Sequence, residues 1–177
     1  MVFHHRLGPE LTAAERHAVL ALRVAVFVVE QACPYPEVDG RDLDADTGHR
    51  WVADDAGVAC YLRTLRLPAD GGAVRIGRVV TRADRRGQGL AARLLAGVLA
   101  DTDAAGFPTV LDAQTRLQAW YGGFGYAVTG PEFLDDGVAH VPLHRAARPA
   151  GGDGSPDTPP VRSGHHQPAP PGKGARC

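Results

Sequence analysis

The chain has 177 residues and a formal net charge of -1. That length suits one domain with a sizeable core, and the balanced charge gives no general case for nucleic acid as a partner. No apolar run approaches a membrane span, and the N-terminal residues are too few and too charged for a signal peptide, so no membrane partner is expected and the reading is cytoplasmic. Cys33, Cys60 and Cys177 show neither pairing nor metal-ligand spacing, so no metal is expected.

Residues 2–6 read as a short first strand. Thr12 with Glu15 forms a capping box. Val19, Leu20, Leu22, Val26 and Phe27 then recur at helical spacing, which predicts a helix over residues 13–28. Residues 32–47 form a loop rich in Pro and Asp. Strands follow over 50–54 and 58–67, joined by Asp54, Asp55, Ala56 and Gly57. A third runs over 74–81. Leu90, Leu94, Leu95, Val98 and Leu99 mark one face of a helix over 89–105 that stops at Gly106 and Pro108. A strand over 110–113, a short helix over 117–124, and strands over 128–134 and 138–143 flanking Asp135, Asp136 and Gly137 complete the pattern. The fold class is α/β (α+β), with residues 1–145 as one domain. Residues 146–177 are mostly Pro, Gly, Ala and polar groups, and read as a disordered Pro/Gly-rich tail that cannot offset its ordering entropy by burial.

Charge is segregated along the chain. Residues 30–46 hold Glu30, Glu37, Asp39, Asp42, Asp44 and Asp46 against Arg41 alone, whereas residues 75–93 hold Arg75, Arg78, Arg82, Arg85, Arg86 and Arg93 against Asp84. Within the basic stretch, a β-branched run leads through arginines to Gly87, Gln88 and Gly89, where the second long helix starts. Glycine lets a backbone approach a ligand, and the free N–H groups of a new helix favour an anion, so the order builds a polyphosphate cradle. A dinucleotide loop follows its strand at once, but here six residues separate Val80 from Gly87. The acidic residues Asp39, Asp42 and Asp44 read either as an attraction for a cationic amine or as plain turn residues.

Arg86-Gly87-Gln88-Gly89-Leu90-Ala91 satisfies the pattern Q/R-x-x-G-x-G/A and so resembles the cofactor motif of the GNAT acyltransferase superfamily. In the register two residues earlier, Asp84 stands where Gln or Arg is usual, which moves phosphate binding onto backbone N–H groups and flanking arginines. Further motifs resemble the ElaA-like GNAT family: Val26 to Gln31, Cys33-Pro34-Tyr35, Val38-Asp39-Gly40, Ile76-Gly77-Arg78-Val79-Val80, Ala113-Gln114, Leu117-Gln118, Tyr121 to Tyr126, and Asp135 to Val141. They span nearly all of residues 1–145. The resemblance implies the GNAT acyl-CoA N-acyltransferase fold, a mixed central sheet of about six or seven strands flanked by helices.

It also implies the chemistry. The donor is acetyl-CoA, with pyrophosphate on the N–H groups of Gly87, Gly89, Leu90 and Ala91, with Gln88 also in the cofactor site, and with Arg82, Arg85 and Arg86 adding charge-assisted contacts. The edge of Val79, Val80 and Thr81 would pair with the pantetheine arm like an added strand, and an N–H near Val80 or Thr81 would polarise the thioester carbonyl. A small-molecule or peptide amine acceptor would attack directly; a second copy of the chain is the other partner allowed for. Tyr121 is the candidate acid for the departing thiolate, since tyrosine titrates near ~10. Glu30 is the candidate base, or the residue that positions a water. His49 and His140 are further base candidates, and Cys33 reads as structural. Two rivals remain: a non-catalytic CoA-binding or interaction module with the same fold, and a nucleotide-dependent oxidoreductase.

Overall fold

The computed structural model describes residues 1–148; the predicted tail, from residue 149 onward, lies outside the described residues. The elements are β1 (Val2–Leu7), α1 (Ala13–Arg23), β2 (Gly48–Asp54), β3 (Gly57–Leu67), β4 (Ala73–Thr81), α2 (Leu90–Ala104), β5 (Thr109–Gln114), α3 (Gln118–Gly122), β6 (Ala127–Val128), β7 (Phe133–Asp135) and β8 (Val138–Arg145).

The strands form one eight-stranded sheet in the order β1-β2-β3-β4-β5-β8-β6, with β7 also paired to β8. The first four strands are an antiparallel meander, β4 and β5 run parallel, and β8 returns antiparallel to β5. One strand was expected over 128–134 where β6 and β7 stand. Between them lie Gly130 and Pro131, and a proline has no N–H to donate to a ladder.

Helices cover both faces of the sheet, which explains why β3 is buried without interruption from Val58 to Arg63. On one face Val52, Cys60, Leu62 and Ile76 meet Leu90, Leu94, Leu95 and Val98 of α2, with Leu111, Tyr121 and Val141. On the other, Trp51, Tyr61 and Val80 meet Val19 and Leu22 of α1, with Val26. The alternation of Trp51 with Val52 and of Tyr61 with Cys60 is the period of two that a sheet imposes.

The capping box forms as expected: Thr12 Oγ1 accepts from the Glu15 N–H at 3.2 Å, and Glu15 Oε2 accepts from the Thr12 N–H at 2.9 Å. The helix, however, is α-helical only to Arg23. Over Val24–Glu30 it widens to i→i+5 turns, with the Gln31 N–H donating to the Val26 carbonyl at 3.0 Å. This stretch is rich in β-branched valine, which crowds an α-helical turn, and such wide turns often re-aim residues at functional sites. Ala32, at φ +52°, ends the helix just past Glu30.

Candidate active site

The parallel pair β4–β5 is joined only at Val74 with Thr109 and Arg75 with Val110. Beyond that point the strands part, while β5 stays paired to β8 along its whole length. β4 also carries a bulge. Tyr61 pairs with Val80 and Arg63 with Gly77, so Arg78 and Val79 together face Leu62. Arg78 takes φ +54°, rare for a long side chain. The ladder to β3 resumes by Arg82, whose N–H donates to the Ala59 carbonyl at 2.9 Å. Counting back by alternation, the main-chain groups of Thr81 and Val79 point to the open edge.

The cradle stands next to this edge. Gly87 and Gly89 have φ of +76° and +72°, a conformation that glycine adopts without strain, and the space above each is open. Gly89 precedes α2, and no side chain caps the helix. Its first internal bond is the Arg93 N–H to the Gly89 carbonyl, at 3.1 Å. Among the described residues, the N–H groups from Gly87 to Ala92 meet no protein acceptor. Open glycines and unsatisfied donors at a helix start fit a diphosphate, and the unpaired strand edge fits an extended amide-bearing arm.

The arginines of the cradle have local partners. Arg82 Nη2 donates to both oxygens of Asp54, at 3.1 and 2.8 Å, and Nε to Asp84 at 2.7 Å. Arg85 Nε reaches Asp54 at 2.7 Å. Hydrogen bonds from Arg82, then Arg85, hold the Asp54 carboxyl down to about 2. Arg86 donates through Nε to the Thr81 carbonyl at 3.2 Å and through Nη2 to Glu30 at 2.8 Å. The basic stretch of the sequence is therefore close to neutral in the fold. Gln88 folds back on the Asp84 carbonyl at 3.4 Å.

Glu30 thus lies within reach of the cradle, brought there by the wide turn after α1 and held by Arg86. Tyr121 is buried in the cluster that holds Val79, Leu90 and Ala91. Its ring meets Trp120 edge-on at 4.7 Å and Tyr126 at 5.8 Å. Burial raises its pKa above that of an ordinary tyrosine, so it stays protonated. Both readings of Tyr121, packing group and proton donor, are compatible with that placement.

The acidic loop is the largest departure from expectation. Asp42 and Glu37 are buried, and they meet arginines that are buried as well. Arg23 has no exposed surface. It donates to Asp42 Oδ1 at 2.8 Å and to Glu37, both to the carboxylate and, at 3.0 Å, to the carbonyl. Arg63 donates to Asp42 at 2.9 Å and grips both oxygens of Asp39 at 2.8 and 2.7 Å. Its hydrogen bonds hold Asp39 down to about 2. Asp39 and Asp42 are consumed in structure, so they do not form a bed for a cationic amine; Asp44 remains exposed. His49 is sealed into the same network, with Nδ1 on the Tyr61 hydroxyl at 2.7 Å and Nε2 on the Asp42 carbonyl at 3.2 Å. His140 instead faces the β7 side, stacked on Phe133, with Nδ1 on the Val138 carbonyl at 2.8 Å. Cys33 contacts the Asp136 carbonyl at 3.6 Å. Among the described residues, no group of three or more His, Cys, Asp or Glu stands where it could hold a metal ion. No helix among them is long and apolar enough to cross a membrane.

Residues 21–146 match the family model of the acetyltransferase (GNAT) domain. A UPF0039 protein of Mycobacterium tuberculosis is 50% identical over 138 residues, 77% of this chain and 87% of the relative. Among solved structures, an acyl-CoA N-acyltransferase from Pseudomonas aeruginosa superposes with a TM-score of 0.78 at 40% identity, covering 82% of this chain and 99% of that one. Escherichia coli ElaA superposes with a TM-score of 0.76 at 34% identity, covering 81% and 98%. The parted strands, the bulge and the glycine-built helix start belong to a chain of the GNAT acetyltransferase family, related within it to ElaA.

Proposed function

We propose that the chain is an acyl-CoA-dependent N-acyltransferase that moves the acetyl group of acetyl-CoA to a primary amine by direct attack within a ternary complex. The observation that carries this reading is the open edge of β4 leading straight to an uncapped, glycine-built start of α2. Acetyl-CoA supplies an activated acyl group as a thioester. The N–H groups of Gly87, Gln88, Gly89, Leu90 and Ala91 bind its diphosphate. Val79 and Thr81 offer main-chain N–H donors to the pantetheine arm, and Val79 its carbonyl as well, with Val80 between them turned into the core. One of those N–H groups faces the thioester oxygen, where negative charge develops as the amine attacks. Tyr121, kept protonated by burial, donates to the departing thiolate. Glu30, ahead of the cradle, receives the ammonium proton directly or through a water. Cys33 and Cys60 are free thiols, which suits a reducing, cytoplasmic setting.

Thermal-shift titration tests the donor and thiol release tests the transfer. Acetyl-CoA is expected to raise the melting temperature, and NADPH to leave it unchanged, because only a ligand of the native state stabilises it. A panel of primary amines is expected to contain one that accelerates thiol release. Stabilisation by NADPH alone would turn the reading toward an oxidoreductase.

A further inference from the structure

The bulge on β4 is held from outside the strand. Arg78 sits at φ +54°, a conformation that strains a non-glycine residue and persists only where surroundings impose it. Here the surroundings are the loop after the wide turn. Arg78 Nε forms an ion pair with Glu37 Oε2 at 2.8 Å, off the angle of a hydrogen bond, and its Nη2 lies 3.7 Å from Asp39. The guanidinium also stands over the Tyr35 ring, 5.4 Å from its centroid. Glu37 is the pivot. Its side chain is 2% exposed, and it accepts from Arg23 on one oxygen and from the Tyr35 hydroxyl on the other, the one that faces Arg78.

Tyr35, Asp39 and Arg78 come from Cys33-Pro34-Tyr35, Val38-Asp39-Gly40 and Ile76-Gly77-Arg78-Val79-Val80, and Glu37 lies between the first two; the donor chemistry uses none of these four side chains directly. We propose that Arg78, clasped by Glu37, Asp39 and Tyr35, is a positioning residue that fixes the β4 bulge and so aims the Val79 and Thr81 main chain at the thioester. The inference rests on the acyltransferase reading. It adds that the loop next to Glu30 and the donor-binding strand are one mechanical unit. The clasp joins segments about forty residues apart, and it explains why an arginine stands where a bulge would prefer glycine.

Arg78→Gly tests it with little risk to folding. Glycine adopts φ +54° without strain, and Glu37 keeps its bonds from Arg23 and Tyr35. In the wild type, stabilisation by acetyl-CoA and thiol release with an amine come first; if both are absent, the acyltransferase reading fails, and this role with it. Given a working wild type, Arg78→Gly is expected to hold its melting temperature within a few degrees and its CoA dissociation constant within about twofold, because the cradle is untouched. Its kcat at saturating donor and acceptor is expected to fall by up to about a hundredfold, the scale of a misplacement of about 1 Å and no more than the roughly hundredfold to thousandfold loss of deleting an oxyanion donor. Arg78→Lys, which restores a cation toward Glu37, should recover part of that loss. A purely structural clasp would lower melting temperature and leave kcat per folded molecule intact. That result, or wild-type kcat in Arg78→Gly, overturns the proposal.

Discussion

The acidic loop and the basic cradle look like opposite poles in the sequence, yet the fold neutralises both, and by different means. The loop carboxylates Glu37, Asp39 and Asp42 meet Arg23 and Arg63, which are buried. The cradle arginines Arg82, Arg85 and Arg86 meet Asp54, Asp84 and Glu30 near the surface. A buried pair that loses one partner leaves a stranded charge, whereas an exposed pair can exchange its partner for a ligand or water. The first arrangement is architecture. The second is a resting state from which phosphate can draw a cation.

The sharpest way to break that contrast is Arg23→Ala. It removes a fully buried cation from between Glu37, which keeps Arg78 and Tyr35, and Asp42, which keeps Arg63, leaves the network one positive charge short, and should cost about 3–5 kcal/mol of stability, read by denaturant unfolding. A cost below about 1 kcal/mol would mean that water reaches the network, and the loop would then resemble the cradle. Next comes Tyr121→Phe, which keeps the ring against Trp120 and Tyr126 and removes only the hydroxyl. If the hydroxyl protonates the thiolate, kcat should fall about a hundredfold, at the low end of general acid contributions, with acetyl-CoA affinity unchanged. An unchanged kcat would leave Tyr121 as a packing group and give the thiolate its proton from another donor; a CoA-binding module without catalysis would instead show no thiol release with any amine.

Acid should find the loop before the cradle. Burial pushes the His49 pKa below its ordinary 6.5. The unfolded chain therefore binds that proton first, so the associated stability is present above pH 6.5 and is lost as pH falls below it. Asp39, held at about 2 by Arg63 against an ordinary 3.8, contributes stability that is lost between those two values. Melting temperature against pH should fall in two stages. His49→Asn should flatten the stage that begins below pH 6.5 and leave the lower one in place.

The contrast also explains what could be read from the chain before folding. The capping box at Thr12 and Glu15, the strand–loop–helix order from Arg75 onward, and the amphipathic face of α2 rest on neighbours a few residues apart, and all were legible. The wide turn over Val24–Glu30 was not, because its apolar spacing also fits an ordinary helix. Arg78 stands within a recognisable motif, but nothing local announces a positive φ at an arginine. The ion pairs were least legible. Asp42 is held by residues 19 and 21 positions away, Arg86 finds Glu30 56 positions away, and Arg85 finds Asp54 31 positions away. Charge runs along the chain describe composition; which charges cancel is decided by which strands lie side by side.

The smallest effect expected is at the hinge between the two regions. Arg86 holds Glu30 with one nitrogen and the Thr81 carbonyl with another, and both side chains of the pair are substantially exposed. Such a pair contributes about 0–1 kcal/mol, less than the roughly 1.5–3 kcal/mol of a hydrogen bond to a charged group out of water. A phosphate arriving at the cradle can therefore take Arg86 from Glu30 and leave that carboxylate free to meet the acceptor. On this view Glu30 competes with the donor in the resting protein. Glu30→Gln should tighten acetyl-CoA by about twofold to fivefold, less than the tenfold that 1.4 kcal/mol represents, and Arg86→Ala should weaken it. Calorimetric titration at low and high salt measures both. If Glu30→Gln leaves the affinity unchanged at either salt, Arg86 does not pass between the two anions, and the cradle is as fixed in its pairing as the buried loop.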